Sequence, residues 1–423
     1  MDYVIAVQTP AYALSSGCFA TESAFGEHLK ELRRSIGDDF RLVLLAPHLD
    51  EREYKRQKTH FVTFESERDA IAFVPAYPAA ASFYSFWLCH ALPLLLLLNR
   101  VMARTAIVHS GLSTDVRRPM LLFVNIVGRL HRRPVIFIVD IDFRRHASQQ
   151  LQTGEISVWK YLLNRLITNV FKESQLRLAI QSSQLVLLKS QSMVDKFGKG
   201  LPHVKNFFDA VHTDNDILSD VQTEARASWL RREDTVLKLC YFGRLVPSKG
   251  VDRMIDAIKL ARDQGSRAVL TVIGDGPLRE VLARRAGDCN LQDQVRFVPQ
   301  VPYGRQLFEL LQEQHVTLAA PVIEDTPRAA FDSMARGLPL IAFDISYFRD
   351  LAELSNAIAL AKWPSPAALA ERIIELDGNR ERLAVLALRG IEFARLNTQQ
   401  IWLNRRAEWT RGFAESNYRW TAG

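Results

Sequence analysis

Two carboxylates, Glu324 and Asp332, stand in the stretch APVIEDTPRAAFDSMARGLPLIA, residues 320–342. Between them, Thr326 suits an N-cap position and Pro327 a first helical position, and Gly337 suits a helix stop. The amides of such a helix, from Arg328 onward, collect positive potential and invite an anion, phosphate above all. Carboxylates repel phosphate but accept from hydroxyls. Glu324 and Asp332 on either side of an anion site therefore suit two hydroxyl-bearing rings joined by a diphosphate, as in a nucleotide sugar. Counter-charge is expected from Arg244 and Lys249 in the loop GRLVPSKG, which opens with Gly243. These cations would stabilise the charge that develops as the nucleotide leaves. Gly274 and Gly276, in the turn GDGP, would let backbone approach the donor closely.

Such a constellation needs a scaffold that brings several loops to one edge. Short apolar runs at residues 3–7, 40–47, 60–65, 105–110, 134–140 and 184–190 read as strands buried on both faces of a parallel sheet. Helical patterns occupy 20–36, 79–103, 117–131 and 155–181. A second series follows, with strands at 237–243, 268–274, 295–299, 316–321 and 339–343. Repeated β-α units imply a doubly wound α/β fold with right-handed crossovers. Ligands of such sheets lie beyond the carboxyl ends of the strands. That rule makes Asp140, at the end of PVIFIVD, a cleft residue. His109 also ends a strand, and a lone histidine there reads as structural. The division expected is 1–212, a polar linker 213–235, a second lobe 236–395, and a terminal helix 396–423, carrying Trp402, Trp409 and Trp420, that packs back on the first lobe.

The formal charge of +7 favours an anionic partner. No nucleic-acid-binding signature accompanies the basic pairs, so nucleic acid is not expected. The four cysteines are far apart, which indicates neither a zinc site nor a disulfide framework. Residues 70–99 contain no Lys, Arg, Asp or Glu. By length they qualify as a membrane span, but Pro75 and Pro78 interrupt the front and strands on both sides ask for a crossover helix. A buried helix starting near Ala79 is expected, with a lipid-touching helix as the alternative.

The order of motifs resembles glycosyltransferase family 4, the group 1 family with the two-Rossmann GT-B fold. The resemblance rests on Gly243–Arg244, Lys249–Gly250, Gly274–Asp275–Gly276–Pro277, Glu324 with Asp332, and Met334–Ala335–Arg336–Gly337–Leu338–Pro339. It covers residues 237 to about 345 closely and the first half only by rhythm. It implies two Rossmann-like domains facing across a cleft and transfer of a hexose-type sugar, with retained configuration, from a nucleotide-diphosphate donor. The implied donor is UDP- or GDP-linked, and the acceptor a glycan or polyprenyl-linked intermediate of envelope or exopolysaccharide synthesis. The implied catalytic residues are Asp140, Glu324, Arg244 and Lys249. Donor contacts are implied at Gly17, Gly243, Arg244, Lys249, Gly274, Gly276, Val298, Glu324, Thr326, Pro327, Arg328 and Asp332; Ser16 lies in the same loop as Gly17. No metal or other cofactor is expected. The implied location is the cytoplasm, with peripheral contact at the inner face of the plasma membrane.

The sequence also departs from the pattern. Asp332 replaces a glutamate, Asp325 a usual glycine, and DISYFRD (344–350) lacks the family's Gly-Gly. These departures keep open a non-catalytic GT-B module that binds nucleotide sugar or a protein partner. Asp140-Ile141-Asp142 admits a second reading, the metal-binding DxD of the GT-A fold. A nicotinamide-dependent oxidoreductase is disfavoured, because no GxGxxG follows the first strand.

Overall fold

The computed structural model describes residues 1–421 apart from Ser16, Thr59 and His60. The first ten strands are β1 (Asp2–Ala6), β2 (Tyr12–Ser15), β3 (Cys18–Glu22), β4 (Arg41–His48), β5 (Phe61–Glu65), β6 (Ile71–Pro78), β7 (Thr105–Gly111), β8 (Val135–Val139), β9 (Leu185–Leu188) and β10 (Val204–Asn206). Seven of them form a parallel sheet in the order β10-β9-β8-β7-β1-β4-β6. Its inner strands are apolar on both faces, as a sheet covered by helices on both sides requires; all four residues of β9 are buried. The other three, β2, β3 and β5, pair antiparallel in a small separate sheet.

The second lobe continues with β11 (Lys238–Phe242), β12 (Val269–Ile273), β13 (Val295–Val298), β14 (Val316–Ala319), β15 (Leu340–Phe343) and β16 (Ile358–Ala361). These are parallel, in the order β13-β12-β11-β14-β15-β16. Both sheets reverse order about their first strand, the signature of double winding.

Two expectations need correction. The run at 60–65 supplies β5 of the antiparallel sheet and takes no place in the parallel one. Residues 71–78 form strand β6, which the apolar character of the 70–99 stretch concealed. Pro75 and Pro78 are accommodated because β6 is an edge strand, where no neighbour needs the missing amide on its open side. The helical pattern expected at 155–181 is present as one run from Val158 to Ser182, which passes through a π-helical segment, Asn164–Thr168, and a separate helix, Phe143–Gln152, precedes it.

The two lobes share a core. Tyr3, Leu42 and Ile136 of the first sheet belong to the same apolar cluster as Phe331, Met334 and Phe348 of the second lobe. Phe207 and Phe208, just past β10, join them: the Phe208 ring lies 5.4 Å from that of Phe331 and 5.4 Å from that of Trp402. Trp402 belongs to the terminal helix Gln399–Thr421. From the same helix, Arg406 donates to His109 at 2.6 Å, inside the first lobe. His109 is thus buried against Tyr3 and Arg406, and burial first, then the guanidinium, holds its pKa well below the usual value.

Candidate active site

A cavity of about 260 Å³ opens at the carboxyl edge of the second sheet. Its wall takes Gly243, Arg244 and Lys249 from the loop after β11, Ala320 and Pro321 from the end of β14, and Asp325 with Pro327–Ala330 from the stretch before helix Ala329–Ala335. Tyr241, Leu318, Leu340 and Phe348 give it an apolar floor. The loops close on one another because side chains are absent where backbones meet. Gly250 has φ +63°, and a Cβ there would lie 2.0 Å from the Ala320 carbonyl oxygen. A Cβ on Gly274 would lie 2.0 Å from the Gly243 carbonyl oxygen, and one on Gly276 would lie 2.6 Å from that of Leu245. Gly274 and Gly276 therefore admit the neighbouring loop, and neither lines the cavity. The Tyr241 hydroxyl donates to the Arg244 carbonyl at 2.8 Å, which anchors that loop from below.

Three cations reach the cavity. Arg244 and Arg328 are exposed and make no ion pair among the described residues. Lys249 is engaged: its Nζ lies 2.5 Å from Oδ2 of Asp325, and Oδ1 of Asp325 accepts from the Thr326 amide at 3.0 Å. The helix start differs from the sequence reading. Thr326 does not cap, the first helical residue is Ala329 rather than Pro327, and Arg328 occupies the N-cap position without a side-chain bond. The amides of Ala330 and Phe331 are already bonded, to Pro327 and Arg328 carbonyls. Asp325 occupies the Thr326 amide. Arg244, Lys249 and Arg328 add side-chain positive charge beside this helix start.

The two acids are both enclosed. Glu324 is 3% exposed. Its Oε1 accepts from the Ser346 amide at 3.3 Å, the Ser346 hydroxyl at 3.2 Å and Nε2 of Gln149 at 3.3 Å. Its own amide donates to Oε1 of Gln149 at 2.7 Å. Gln149 sits on helix Phe143–Gln152, so this pair bridges the lobes. Burial raises the Glu324 pKa, the Ser346 amide opposes that, and the nearby Asp142 charge adds to it. Asp332 is buried, does not line the cavity, and accepts from the Tyr303 hydroxyl at 3.0 Å. Burial pushes its pKa up to about 7 against the lowering effect of Tyr303 and Arg328.

The first lobe presents a charged group of its own. Asp140, 64% exposed in its side chain, pairs with Lys189 at 2.9 Å, and Lys189 also reaches Asp209 at 3.3 Å. Burial would raise the Asp209 pKa, but the charges of Lys189, His28 and Arg328 bring it down to about 2. The charge of Arg328 in the second lobe thus acts on Asp209 and His28 of the first. For His28, burial dominates and lowers the pKa to about 4. Lys189 follows β9 directly, so the strand-end rule that found Asp140 would also have found it. Asp209 follows a three-residue strand too short to show in periodicity, and Gln149 carries no sequence signal.

Other expected contacts fall elsewhere. Asp142 is 3% exposed, accepts from the Arg144 amide and side chain, and starts helix Phe143–Gln152. It therefore does not act with Asp140 as a DxD pair. Gly17 turns the β2–β3 hairpin, and its carbonyl accepts from the Ser66 amide at 2.7 Å. Val298 ends edge strand β13, where its carbonyl accepts from the Gly274 amide at 3.0 Å. Neither Gly17 nor Val298 lines the cavity, and Ser16 lies outside the described residues.

Residues 221–392 match the family model described as glycosyl transferases group 1. Over 156 residues the chain is 26% identical to a GDP-mannose-dependent alpha-(1-6)-phosphatidylinositol monomannoside mannosyltransferase of Mycobacterium tuberculosis (strain ATCC 25618 / H37Rv), covering 36% of this chain and 40% of that protein. It is 23% identical over 265 residues to the alpha-D-kanosaminyltransferase of Streptomyces kanamyceticus, covering 59% and 64%. It is 30% identical over 146 residues to the amylovoran biosynthesis glycosyltransferase AmsK of Erwinia amylovora, covering 33% and 36%. The matches thus span less than two thirds of each relative. Among solved structures, Anabaena Alr3699/HepE in complex with UDP superimposes with a TM-score of 0.64 at 15% identity, over 97% of this chain and 100% of that one. WaaG, a glycosyltransferase involved in lipopolysaccharide biosynthesis, superimposes with a TM-score of 0.61 at 12% identity, over 96% and 98%. The chain has the GT-B fold, and its residues 221–392 are a glycosyl transferases group 1 region.

Proposed function

We propose that the protein is a retaining hexosyltransferase of the family 4 type, moving a sugar from a nucleotide diphosphate to an acceptor held between the lobes. The observation that carries this reading is the gathering of Arg244, Lys249 and Arg328 around one cavity at the carboxyl edge of the second sheet. The diphosphate lies against these cations, with the apolar floor under the nucleoside. The bond from the anomeric carbon to the diphosphate oxygen breaks, and the three cations stabilise the anion that leaves. The acceptor oxygen bonds to the anomeric carbon on the same face, and its proton passes to the departing diphosphate. Glu324, held by Ser346 and Gln149, borders the sugar. Asp140 orients the acceptor hydroxyl, with Lys189 fixing its carboxylate.

The names of relatives support a UDP- or GDP-linked donor, since HepE was solved with UDP and the mycobacterial relative is GDP-mannose-dependent. Those names also support a lipid-linked or polysaccharide acceptor. The Lys249–Asp325 pair supports a second reading, a donor-binding module without turnover, because it occupies one of the cations the chemistry uses. A thermal-shift screen of UDP-, GDP-, ADP- and dTDP-sugars tests both. The best donor should raise Tm in the wild type and fail to do so in Arg244→Ala and Lys249→Ala. No shift with any of them would refute both readings. A shift with no donor consumption, with and without added acceptor glycans, would leave the binding module.

A further inference from the structure

We propose that the helical side of the first lobe seats on the surface of an anionic lipid bilayer, with two apolar stripes entering the interface beside the cleft. The helical run Phe83–Arg104 is long and apolar enough to cross a membrane by length and composition. It cannot be surrounded by lipid, because Phe86, Leu94, Leu98 and Met102 are almost wholly buried against the first sheet. Its other stripe is bare: Leu88 is 83% exposed and Leu92 66% exposed. The run that begins at Val158 repeats this pattern. Trp159 is 82% exposed, and Leu163 and Leu166 are exposed on the same helical spacing.

These stripes lie on one side of the lobe. Leu98, Val124 and Leu176, from three successive crossover helices, all pack into the single core on that face of the sheet. The loop after β7 ties the two stripes together. The Trp87 indole donates to the Arg117 carbonyl at 3.0 Å, and Gln175 donates to the Ser113 carbonyl at 3.2 Å. That loop leaves the carboxyl end of its strand, as do Asp140 and Lys189. The second stripe is also one helix from the candidate site, since Val158–Leu163 packs against Phe143–Gln152, which carries Gln149 to Glu324.

Charge selects the occupant. Residues 83–104 and 120–130 contain no Asp or Glu, and the run 158–182 contains one acid, Glu173, which pairs with Arg177. Against it stand Arg100, Arg104, Arg129, Lys160, Arg165, Lys172 and Arg177. Exposed leucines flanked by tryptophans and by an excess of cations are what an amphipathic surface needs to enter an anionic headgroup layer. A protein partner would meet the same leucines, but nothing in that interaction asks for cations to outnumber acids so strongly in three separate segments. Docking does not depend on the proposed chemistry. Its consequence does: a lipid-borne acceptor would reach the cleft from the membrane plane.

Co-sedimentation of the full chain tests the proposal, with vesicles of phosphatidylcholine alone and of phosphatidylcholine with phosphatidylglycerol. Wild type should pellet with the anionic vesicles, at least tenfold more than with the neutral ones, and less at high salt. The double variant Leu88→Glu/Leu163→Glu should lose that binding tenfold or more. The double variant Lys160→Glu/Arg165→Glu should lose the preference for anionic lipid. Both variants alter exposed positions, so their thermal unfolding and their donor-induced Tm shifts should equal the wild type's. Absence of vesicle binding by the wild type would overturn the proposal, as would binding that both variants retain. A wild-type dimer by light scattering, dissociated by Leu88→Glu/Leu163→Glu and indifferent to vesicles, would also overturn it in favour of a second copy of this chain. Because vesicle binding uses no sugar, its failure leaves the donor screen untouched, and the reverse.

Discussion

At the scale of single residues, Asp325 decides how strongly the cavity attracts an anion. It neutralises Lys249 at 2.5 Å, so an arriving diphosphate must compete with a carboxylate for that ammonium. Asp325→Asn keeps the size and the bond to the Thr326 amide while removing the charge. We expect it to tighten donor binding about tenfold, or ~1.4 kcal/mol, measured by calorimetric titration. Unchanged or weaker binding would show that the diphosphate does not use Lys249. Asp332 makes a second prediction. Its folded pKa of about 7 stands above the value of 3.8 for the free side chain, so the folded state holds a proton that the unfolded state has released. Stability from this group is fully present below pH ~4 and falls as pH rises to about 7, with a limiting slope of ~1.4 kcal/mol per pH unit. Asp332→Asn, which can still accept from Tyr303, should remove that slope. Urea unfolding of both proteins between pH 5 and 8 checks it, and parallel curves would contradict the assignment.

At the scale of elements, the site depends on loops that touch through glycine and on one helix that reaches across. Gly250→Ala places a Cβ 2.0 Å from the Ala320 carbonyl oxygen at a positive φ, with no flexible side chain to yield. We expect a loss of at least roughly 1–3 kcal/mol in chemical unfolding. Gln149 satisfies both the amide and the carboxylate of Glu324 from the opposite lobe. Gln149→Ala leaves those buried groups without that partner, at a cost of roughly 1–3 kcal/mol. Because Gln149 acts through Glu324, its loss should lower kcat more than it raises KM for the donor, with the sugar-dependent Tm shift retained. A variant in which only KM changed would place Gln149 in donor binding instead.

At the scale of the whole molecule, the lobes are joined by a shared apolar core as well as by chain connection. Trp402 is 8% exposed, with its ring against those of Phe207 and Phe208, and Arg406 of the same helix enters the first lobe at His109. Trp402→Ala should cost roughly 3–5 kcal/mol. Because the tryptophan serves both lobes through Phe208 and Phe331, the two should continue to unfold together, in one calorimetric transition shifted to lower temperature. Separation into two transitions would show that this helix alone couples them.

The sequence by itself determined the alternation of strand and helix, the GT-B fold class, and the identity of the cations at the second sheet's edge. Each is written locally: continuous apolar runs mark strands buried on both faces, and Arg244 and Lys249 sit in a loop a few residues beyond one of them. Strand β6 was obscured because its prolines and apolar neighbours resemble the front of a long helix, and only its edge position explains them. Tertiary structure alone decided how the charges are paired. Lys249 with Asp325, Asp332 with Tyr303, and Glu324 with Gln149 join positions 29 to 175 residues apart. Such pairs depend on distances between loops that no periodicity encodes. The same holds for Lys189 and Asp209, which matter because the sheet edge brings them to Asp140, and for Gly274 and Gly276, whose missing side chains make room for a neighbouring loop.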